Sequence, residues 1–317
     1  MIYRRLGETS LSLSVLGYGC WGVGGGTKEY PAYGKIDPNK IVVAIEKAIE
    51  VGINFFDTSA LYGAGQSEVF LSKVLPKHRK KIYIATKAGL LDVEKKCFSL
   101  EQIRKSLENS LKRLNTDYID LFQLHNFDKE DLINYPDILN LLLTLKKEGK
   151  IIEWGISFKT PNHALDLLKK IKIPSIQCNF NILDTRCIDN KLFQFCKDNK
   201  IGVIARTPLA FGFLSLKIDA KKSFPDNDHR SKWSIESKKN WVENSKKLKK
   251  LLSARQSINM AQLCIKFCIT PEVVSTCIPG MHSVEEVLEN YEAVKSGPLS
   301  DDIYSDICNY NKYEVLK

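Results

Sequence analysis

The 317-residue sequence lacks the marks of a secreted or membrane-bound protein. Its first five residues, 1–5, carry no apolar core like that of a signal peptide. No apolar run approaches the roughly 20 residues that span a bilayer. We therefore predict a cytoplasmic protein with no membrane partner.

The cysteines lack the spacing of metal sites and of disulfide scaffolds. The chain has nine, an odd number, with no C-x-x-C motif and no Cys/His group at zinc-finger spacing. Cys178, Cys264, Cys268 and Cys277 lie in apolar runs, where a free thiol behaves as a small core residue. We expect reduced thiols, a reducing compartment and no metal site.

Charge is unevenly distributed. The net charge is +10, and residues 215–250 hold eleven Lys and Arg against five Asp and Glu. No stacking or groove-reading motif accompanies this basic segment, so we interpret it as a solvated loop and helix and expect no nucleic-acid partner. A positive field that attracts an anionic cofactor is a third interpretation.

Short apolar runs alternate with longer amphipathic stretches along the chain. Eight runs have strand character, at 15–17, 53–56, 82–85, 118–123, 151–156, 175–178, 202–205 and 273–278. Helical periodicity lies between them, at 39–51, 100–114, 136–148, 161–170 and 283–294 among others. Eight strand–helix units predict a closed (β/α)8 TIM barrel. An open doubly wound sheet is the alternative, but no G-x-G-x-x-G joins the first strand to the first helix.

Three further segments complete the predicted architecture of one domain, 1–317. Residues 3–5 and 12–15 flank a Gly7–Ser10 turn, which predicts a β-hairpin capping the barrel floor. Residues 207–257 are too long for an ordinary connection, so we predict a large loop with an extra helix after strand seven. The tail from Ser300 is predicted to form one more helix.

Polar side chains stand at the predicted carboxyl ends of consecutive strands, where barrel enzymes place their active sites. Asp57, Lys87 and His125 end the second, third and fourth strands, and Tyr62 follows Asp57 closely. Singly, such a histidine is more often a satisfied structural residue, and a strand-end lysine is usually solvated. Because all four converge on one mouth, we interpret them together as a proton-transfer set.

This set suits the reduction of a carbonyl group. A tyrosine has a pKa of about 10, and we expect Lys87, held by Asp57, to lower the pKa of Tyr62. Tyr62 then protonates the alkoxide as it forms. A neutral His125 donates a hydrogen bond to the carbonyl oxygen. No side chain supplies hydride, so the reduction needs a nicotinamide.

The same four residues, in segments 56–63, 85–87 and 123–125, resemble the catalytic tetrad of the aldo-keto reductase superfamily. Residues 3–7 and 16–22 resemble its amino-terminal signature, and the likeness continues to about residue 294. The resemblance implies a (β/α)8 barrel that binds an extended NAD(P)H without a Rossmann motif. It is closest to an outlying, bacterial-type branch, which suggests a sugar-derived substrate.

The resemblance also implies cofactor contacts along the barrel mouth. The first loop and the ends of strands five to seven match the nicotinamide end, the segment after strand seven matches the pyrophosphate, and the turn after strand eight matches the adenosine phosphate. A helix amino terminus at that turn favours phosphate. The implied positions are Gly19, Cys20, Trp21, Ser157, Gln177, Arg206, Pro208, Leu209, Gly212, Gly280, His282, Glu286 and Asn290.

At four positions, in or next to these cofactor contacts, the residue differs from the one common in the family. Phe158 replaces an asparagine, His282 an arginine, Glu286 a glutamine, and Arg206 an aromatic side chain that stacks on the nicotinamide. We expect NADPH to be preferred by a modest margin, with NADH possible. The candidate cations for the 2′-phosphate are His282 and the lysine-rich segment around Lys217–Lys250, and the margin should shrink as pH rises from about 6 to 8 because His282 loses its proton.

The predicted function is NADPH-dependent reduction of a small-molecule aldehyde or ketone to an alcohol. Two alternatives stay open. One is a cofactor-binding regulatory subunit with slow turnover. The other is an NAD-dependent sugar alcohol dehydrogenase, which a preference for NAD of more than about tenfold would favour.

Overall fold

A short antiparallel hairpin begins the chain in the computed structural model, which describes residues 1–27, 29–30, 32–92, 95–252 and 258–310. Strand β1 (Tyr3–Arg5) pairs with β2 (Ser12–Ser14), as the sequence predicts. Leu6, Leu11 and Leu13 are buried against the inward side chains of the barrel floor, among them Phe55 and Leu121. The hairpin therefore plugs the end of the barrel opposite the functional mouth.

Eight parallel strands form the barrel within the described residues, and neighbours in the sheet follow chain order. They are β3 (Tyr18–Gly19), β4 (Phe55–Asp57), β5 (Tyr83–Ala88), β6 (Ile119–His125), β7 (Ile151–Ser157), β8 (Ser175–Asn179), β9 (Gly202–Arg206) and β10 (Val274–Ile278). Three backbone hydrogen bonds close the ring: Gly17 N donates to Cys277 O at 2.8 Å, Cys277 N donates to Val15 O at 2.9 Å, and Gly19 N donates to Pro279 O at 2.9 Å. The predicted TIM barrel is confirmed.

Helices surround the strands. Those in the described residues are α1 (Pro38–Glu50), α2 (Gln66–Leu71), α3 (Leu100–Leu114), α4 (Tyr135–Lys147), α5 (Pro161–Leu168), α6 (Arg186–Asp189), α7 (Leu192–Asp198), α8 (Ile235–Leu252), α9 (Met260–Ile269), α10 (Val284–Lys295) and α11 (Asp301–Tyr310). Local chemistry sets their ends. Asp37, Ser99 and Ser283 cap amino termini with side-chain oxygens, and Gly52 follows α1 with a φ of +93°.

The predicted additions to the barrel are present, with small corrections to strand ends. Helix α8 lies in the insert after β9, and α11 forms the tail; positions 253–257 and 311–317 of those predictions lie outside the described residues. The first strand was placed wrongly at 15–17. Those residues bond to β10, but the strand itself is β3, three residues later, because pairing with β4 starts at Tyr18. None of the described helices is long and apolar enough to cross a membrane.

Candidate active site

The strand register brings the predicted proton-transfer residues to one level of the barrel mouth. Asp57 is the last residue of β4 and lies opposite Ala85 in β5. Lys87 lies opposite Gln123 in β6. His125, two residues after Gln123 in the same strand, lies opposite Ser157 in β7. Tyr62 reaches the same place from the turn after β4. The structure therefore assembles all four residues that the sequence singled out.

Lys87 is the hub of the cluster. Its Nζ donates to Asp57 Oδ2 at 2.7 Å, to the Thr58 carbonyl at 2.8 Å and to Tyr62 Oη at 3.3 Å. The Lys87 side chain is fully buried, and that of Asp57 is 3% exposed. The ammonium group thus has a fixed direction, with Asp57 on one side and the tyrosine hydroxyl on the other.

The second carboxylate oxygen of Asp57 is held by two amides. Gln123 Nε2 donates to Asp57 Oδ1 at 3.1 Å, and Gln177 Nε2 donates at 2.8 Å. Gln177 Oε1 in turn accepts from Ser157 Oγ at 3.1 Å. Gln177 and Ser157, expected along the cofactor, therefore also brace Asp57. Sequence reasoning missed Gln123, although the signal is there: it lies two residues before His125 and so faces the same side of β6.

Electrostatics of this cluster correct one expectation. Burial raises the pKa of Tyr62; Lys87 pulls it down and Asp57 pushes it up, and the net result is above the ordinary value. We predicted a lowered pKa, which overlooked the desolvation of the ring. Burial pulls the pKa of Lys87 down, but Asp57 and Tyr62 raise it overall, so the lysine is charged at neutral pH.

His125 is neutral, as expected. Burial, followed by the charges of Lys87 and Arg206, holds its pKa well below the usual value of a histidine. Its Nδ1 lies 3.4 Å from Ser59 Oγ, and its ring meets that of Tyr62 edge-on at 6.3 Å between centroids. A neutral imidazole beside a tyrosine hydroxyl can donate one hydrogen bond to a carbonyl oxygen.

A cavity of about 800 Å³ opens over this cluster. Asp57, Tyr62 and His125 line it, whereas Lys87 lies beneath Tyr62. All thirteen residues expected along the cofactor also line it, and they are Gly19, Cys20, Trp21, Ser157, Gln177, Arg206, Pro208, Leu209, Gly212, Gly280, His282, Glu286 and Asn290. The cavity lies in the upper part of the size range of ligand pockets, so it has room for an extended cofactor and a small substrate.

Helix α10 lines part of the cavity with Glu286, Glu289 and Asn290. His282 N donates to Glu286 Oε2 at 2.7 Å, and Ser283 Oγ caps the helix by accepting from Glu286 N at 3.3 Å. Burial lowers the pKa of His282, with Glu286 opposing and Arg230 adding to the decrease. The lowered pKa favours the neutral form of His282, so its expected role as a cation for the 2′-phosphate requires that phosphate to raise the pKa.

Unsatisfied polar atoms support a ligand in this cavity. His282 Nε2 and Arg206 Nε are buried without a hydrogen-bond partner in the described part of the chain, and both residues line the cavity. Such atoms are costly unless something binds them. The residues present therefore fit a large polar ligand such as a nicotinamide dinucleotide. In the described ranges, no group of three or more His, Cys, Asp or Glu side chains is arranged to hold a metal ion.

Comparisons with known proteins agree with this geometry. The model of the aldo/keto reductase family matches residues 15–312. The uncharacterized oxidoreductase YqkF of Bacillus subtilis is 30% identical over 99% of this chain and 98% of its own. The NADH-specific methylglyoxal reductase of Escherichia coli is 29% identical over 91% and 92%. The holo form of aldo-keto reductase AKR11C1 from Bacillus halodurans superposes with a TM-score of 0.78, at 30% identity, over 98% of this chain and 96% of that one.

Proposed function

The chain belongs to the aldo/keto reductase family, and from that premise we propose that it reduces an aldehyde or ketone to an alcohol, with Tyr62 as the proton donor. The observation that carries the proposal is the contact of 3.3 Å between Lys87 Nζ and Tyr62 Oη, inside a cavity with room for cofactor and substrate. A bound nicotinamide would supply the hydride, which no side chain can.

Tyr62 is suited to giving a proton to a nascent alkoxide. Its raised pKa keeps the phenol protonated at neutral pH, and an alkoxide is a much stronger base than a phenolate. Lys87 then stabilises the phenolate that remains, since its ammonium already points at the phenol oxygen. Asp57, fixed by Gln123 and Gln177, holds Lys87 in that direction.

His125 positions the carbonyl group. We place its proton on Nε2, with Nδ1 directed at Ser59 Oγ. A neutral donor polarises the carbonyl oxygen without competing with Tyr62 as an acid, because its conjugate acid is not populated at neutral pH.

The cofactor would be held by the thirteen cavity-lining residues at which the sequence predicts cofactor contacts. Gly280, His282, Glu286 and Asn290 would hold the adenosine end, with the Pro208–Gly212 segment alongside the pyrophosphate. We propose that NADPH is preferred over NADH by a modest margin at most. The Glu286 carboxylate at the start of α10 weakens a 2′-phosphate site, and one relative is named as NADH-specific.

The substrate is a small carbonyl compound, of which a sugar-derived aldehyde and a 2-oxoaldehyde are the proposed classes; the name of the Escherichia coli relative supports the second. Trp21, Leu61 and Leu90 give the substrate end an apolar wall. We further propose that residues 1–317 are one cytoplasmic domain.

Oxidation of NADPH and NADH should be measured against methylglyoxal, glyceraldehyde, aldoses and aromatic aldehydes. We expect carbonyl-dependent oxidation with at least one class. Tight cofactor binding without turnover would favour the regulatory alternative, and no carbonyl dependence with any class would refute the proposed reaction.

A further inference from the structure

Arg206 is a half-buried cation in the barrel mouth that the proton-transfer set does not use. It is the last residue of β9 and lines the cavity together with Tyr62 and His125. Its Nη2 donates to the carbonyl oxygens of Phe158 at 2.9 Å and Lys159 at 3.2 Å, and its Nε is buried with no partner. The guanidinium is thus anchored by backbone atoms, and no ion pair neutralises it among the described residues.

The charges that surround Arg206 leave it uncompensated. The acidic groups that act on it are Tyr62, Cys178, Asp57 and Asp184. Tyr62 is protonated, and Cys178 is buried with its sulfur 3.5 Å from that of Cys187. Asp57 and Asp184 already have partners of their own, Lys87 at 2.7 Å and Arg186 at 2.7 Å.

Arg206 and the proton-transfer residues together therefore carry one net positive charge. Burial lowers the pKa of Arg206, yet a guanidinium stays protonated at neutral pH. With the charge of Asp57 balanced by Lys87 and His125 neutral, this net charge is the one on Arg206. Such a fixed charge acts on any charge that changes beside it, and more strongly where protein atoms rather than water surround both.

We propose that Arg206 selects the redox state of the cofactor: its fixed charge favours the neutral, reduced nicotinamide over the cationic, oxidised ring and so favours carbonyl reduction over alcohol oxidation. This inference rests on the proposed function. It assigns Arg206 a role in determining the direction of reaction rather than in proton transfer.

Hydride transfer would place the positive charge that forms on the nicotinamide ring in the same cavity as the guanidinium of Arg206. Hydride must reach the carbon whose oxygen takes the proton of Tyr62, so a bound nicotinamide would occupy the cavity that Tyr62 and Arg206 both line. The dihydronicotinamide ring is neutral, and when hydride leaves with its electron pair the ring becomes a cation. The electron pair goes to the carbonyl carbon and the proton to its oxygen, so atoms and charges balance.

The test is the ratio of dissociation constants for oxidised and reduced cofactor, measured by fluorescence titration for NADP⁺ with NADPH and for NAD⁺ with NADH. We expect the wild type to bind the reduced form at least about tenfold more tightly, which is about 1.4 kcal/mol. Arg206→Gln should lower that ratio by about tenfold, a change of about 30 mV in the potential of the bound couple. Arg206→Lys should retain most of it.

Lys159→Gln is the matched control. Lys159 is an exposed cation of the same cavity wall, and its backbone carbonyl, which anchors Arg206, is unchanged by the substitution. The ratio should stay within about twofold of wild type, because solvent screens an exposed charge.

The outcomes separate this inference from the proposed function. If the wild type binds no nicotinamide cofactor, the proposed function itself fails. If it binds both redox forms equally, or if Arg206→Gln weakens both forms by the same factor, the cofactor site stands and the role of Arg206 is refuted. Equal binding of the two redox forms by the wild type would refute the role of Arg206 even if the variant does not fold.

Discussion

Replacing Lys87 by methionine removes the ammonium group that contacts both Asp57 and Tyr62. Methionine has nearly the same length, so the packing of the stem is preserved while three hydrogen bonds are lost. Asp57 keeps the two amide donors on Oδ1, but Oδ2 becomes a buried, unpaired charge. Removing one partner of a buried ion pair costs about 3–5 kcal/mol of unfolding free energy.

Lys87→Met should therefore lose both stability and turnover, and the two losses can be measured separately. Urea unfolding should show a loss of about 3–5 kcal/mol, and turnover should fall by about two to four orders of magnitude because the Tyr62 phenolate loses its stabilising cation. Adding Asp57→Asn should restore at least about 2 kcal/mol by removing the buried charge, without restoring turnover.

The matched control is Lys77→Met. Lys77 pairs with Glu46 at 2.6 Å, but its side chain is 63% exposed and Glu46 keeps His78 as a second partner at 2.9 Å, so its loss should cost about 0–1 kcal/mol. The reasoning is refuted if Lys87→Met is as stable as Lys77→Met, or if Asp57→Asn in the Lys87→Met background restores no stability.

Two further predictions concern pH and cofactor choice. The reduction rate at saturating substrate should not change from about pH 6.5 to 9.5. The raised pKa of Tyr62 keeps the proton donor protonated over this range, and the lowered pKa of His125 keeps the imidazole neutral. A midpoint near neutrality in the pH–rate profile would contradict the protonation states assigned to Tyr62 and His125. Glu286→Gln should tighten NADPH binding by about tenfold and change NADH binding by less than about twofold, because the amide oxygen still accepts from His282 N while the negative charge is removed. Fluorescence titration measures both dissociation constants. An unchanged ratio of the NADPH and NADH dissociation constants would show that Glu286 does not face the 2′-phosphate.

Much of the fold was predictable because local and long-range signals agree. Helix α3 was predicted with the observed limits, since Ser99 caps its start and Asn115, in the left-handed region, ends it. The first strand was placed wrongly because β3 has two residues, too few for a periodic pattern. The apolar run before it looked like a strand but meets β10 as the ring closes.

The identity of the site was predictable from strand ends, but its energetics were not. Asp57, Lys87 and His125 follow apolar runs, so their meeting point follows from barrel topology. The direction of the Tyr62 pKa shift depends on how deeply the ring is buried, which no spacing reveals. The backbone anchoring of Arg206 to the Phe158 carbonyl likewise exists only once the ends of β7 and β9 are packed together.

Substitution of Tyr62 by phenylalanine tests the central claim most directly. The ring and its packing remain, while the hydroxyl 3.3 Å from Lys87 Nζ is lost. We expect Tyr62→Phe to bind NADPH with wild-type affinity and to oxidise it about two to four orders of magnitude more slowly with the best carbonyl substrate. A Tyr62→Phe variant that reduces that substrate at near wild-type rate would contradict the assignment of Tyr62 as the proton donor.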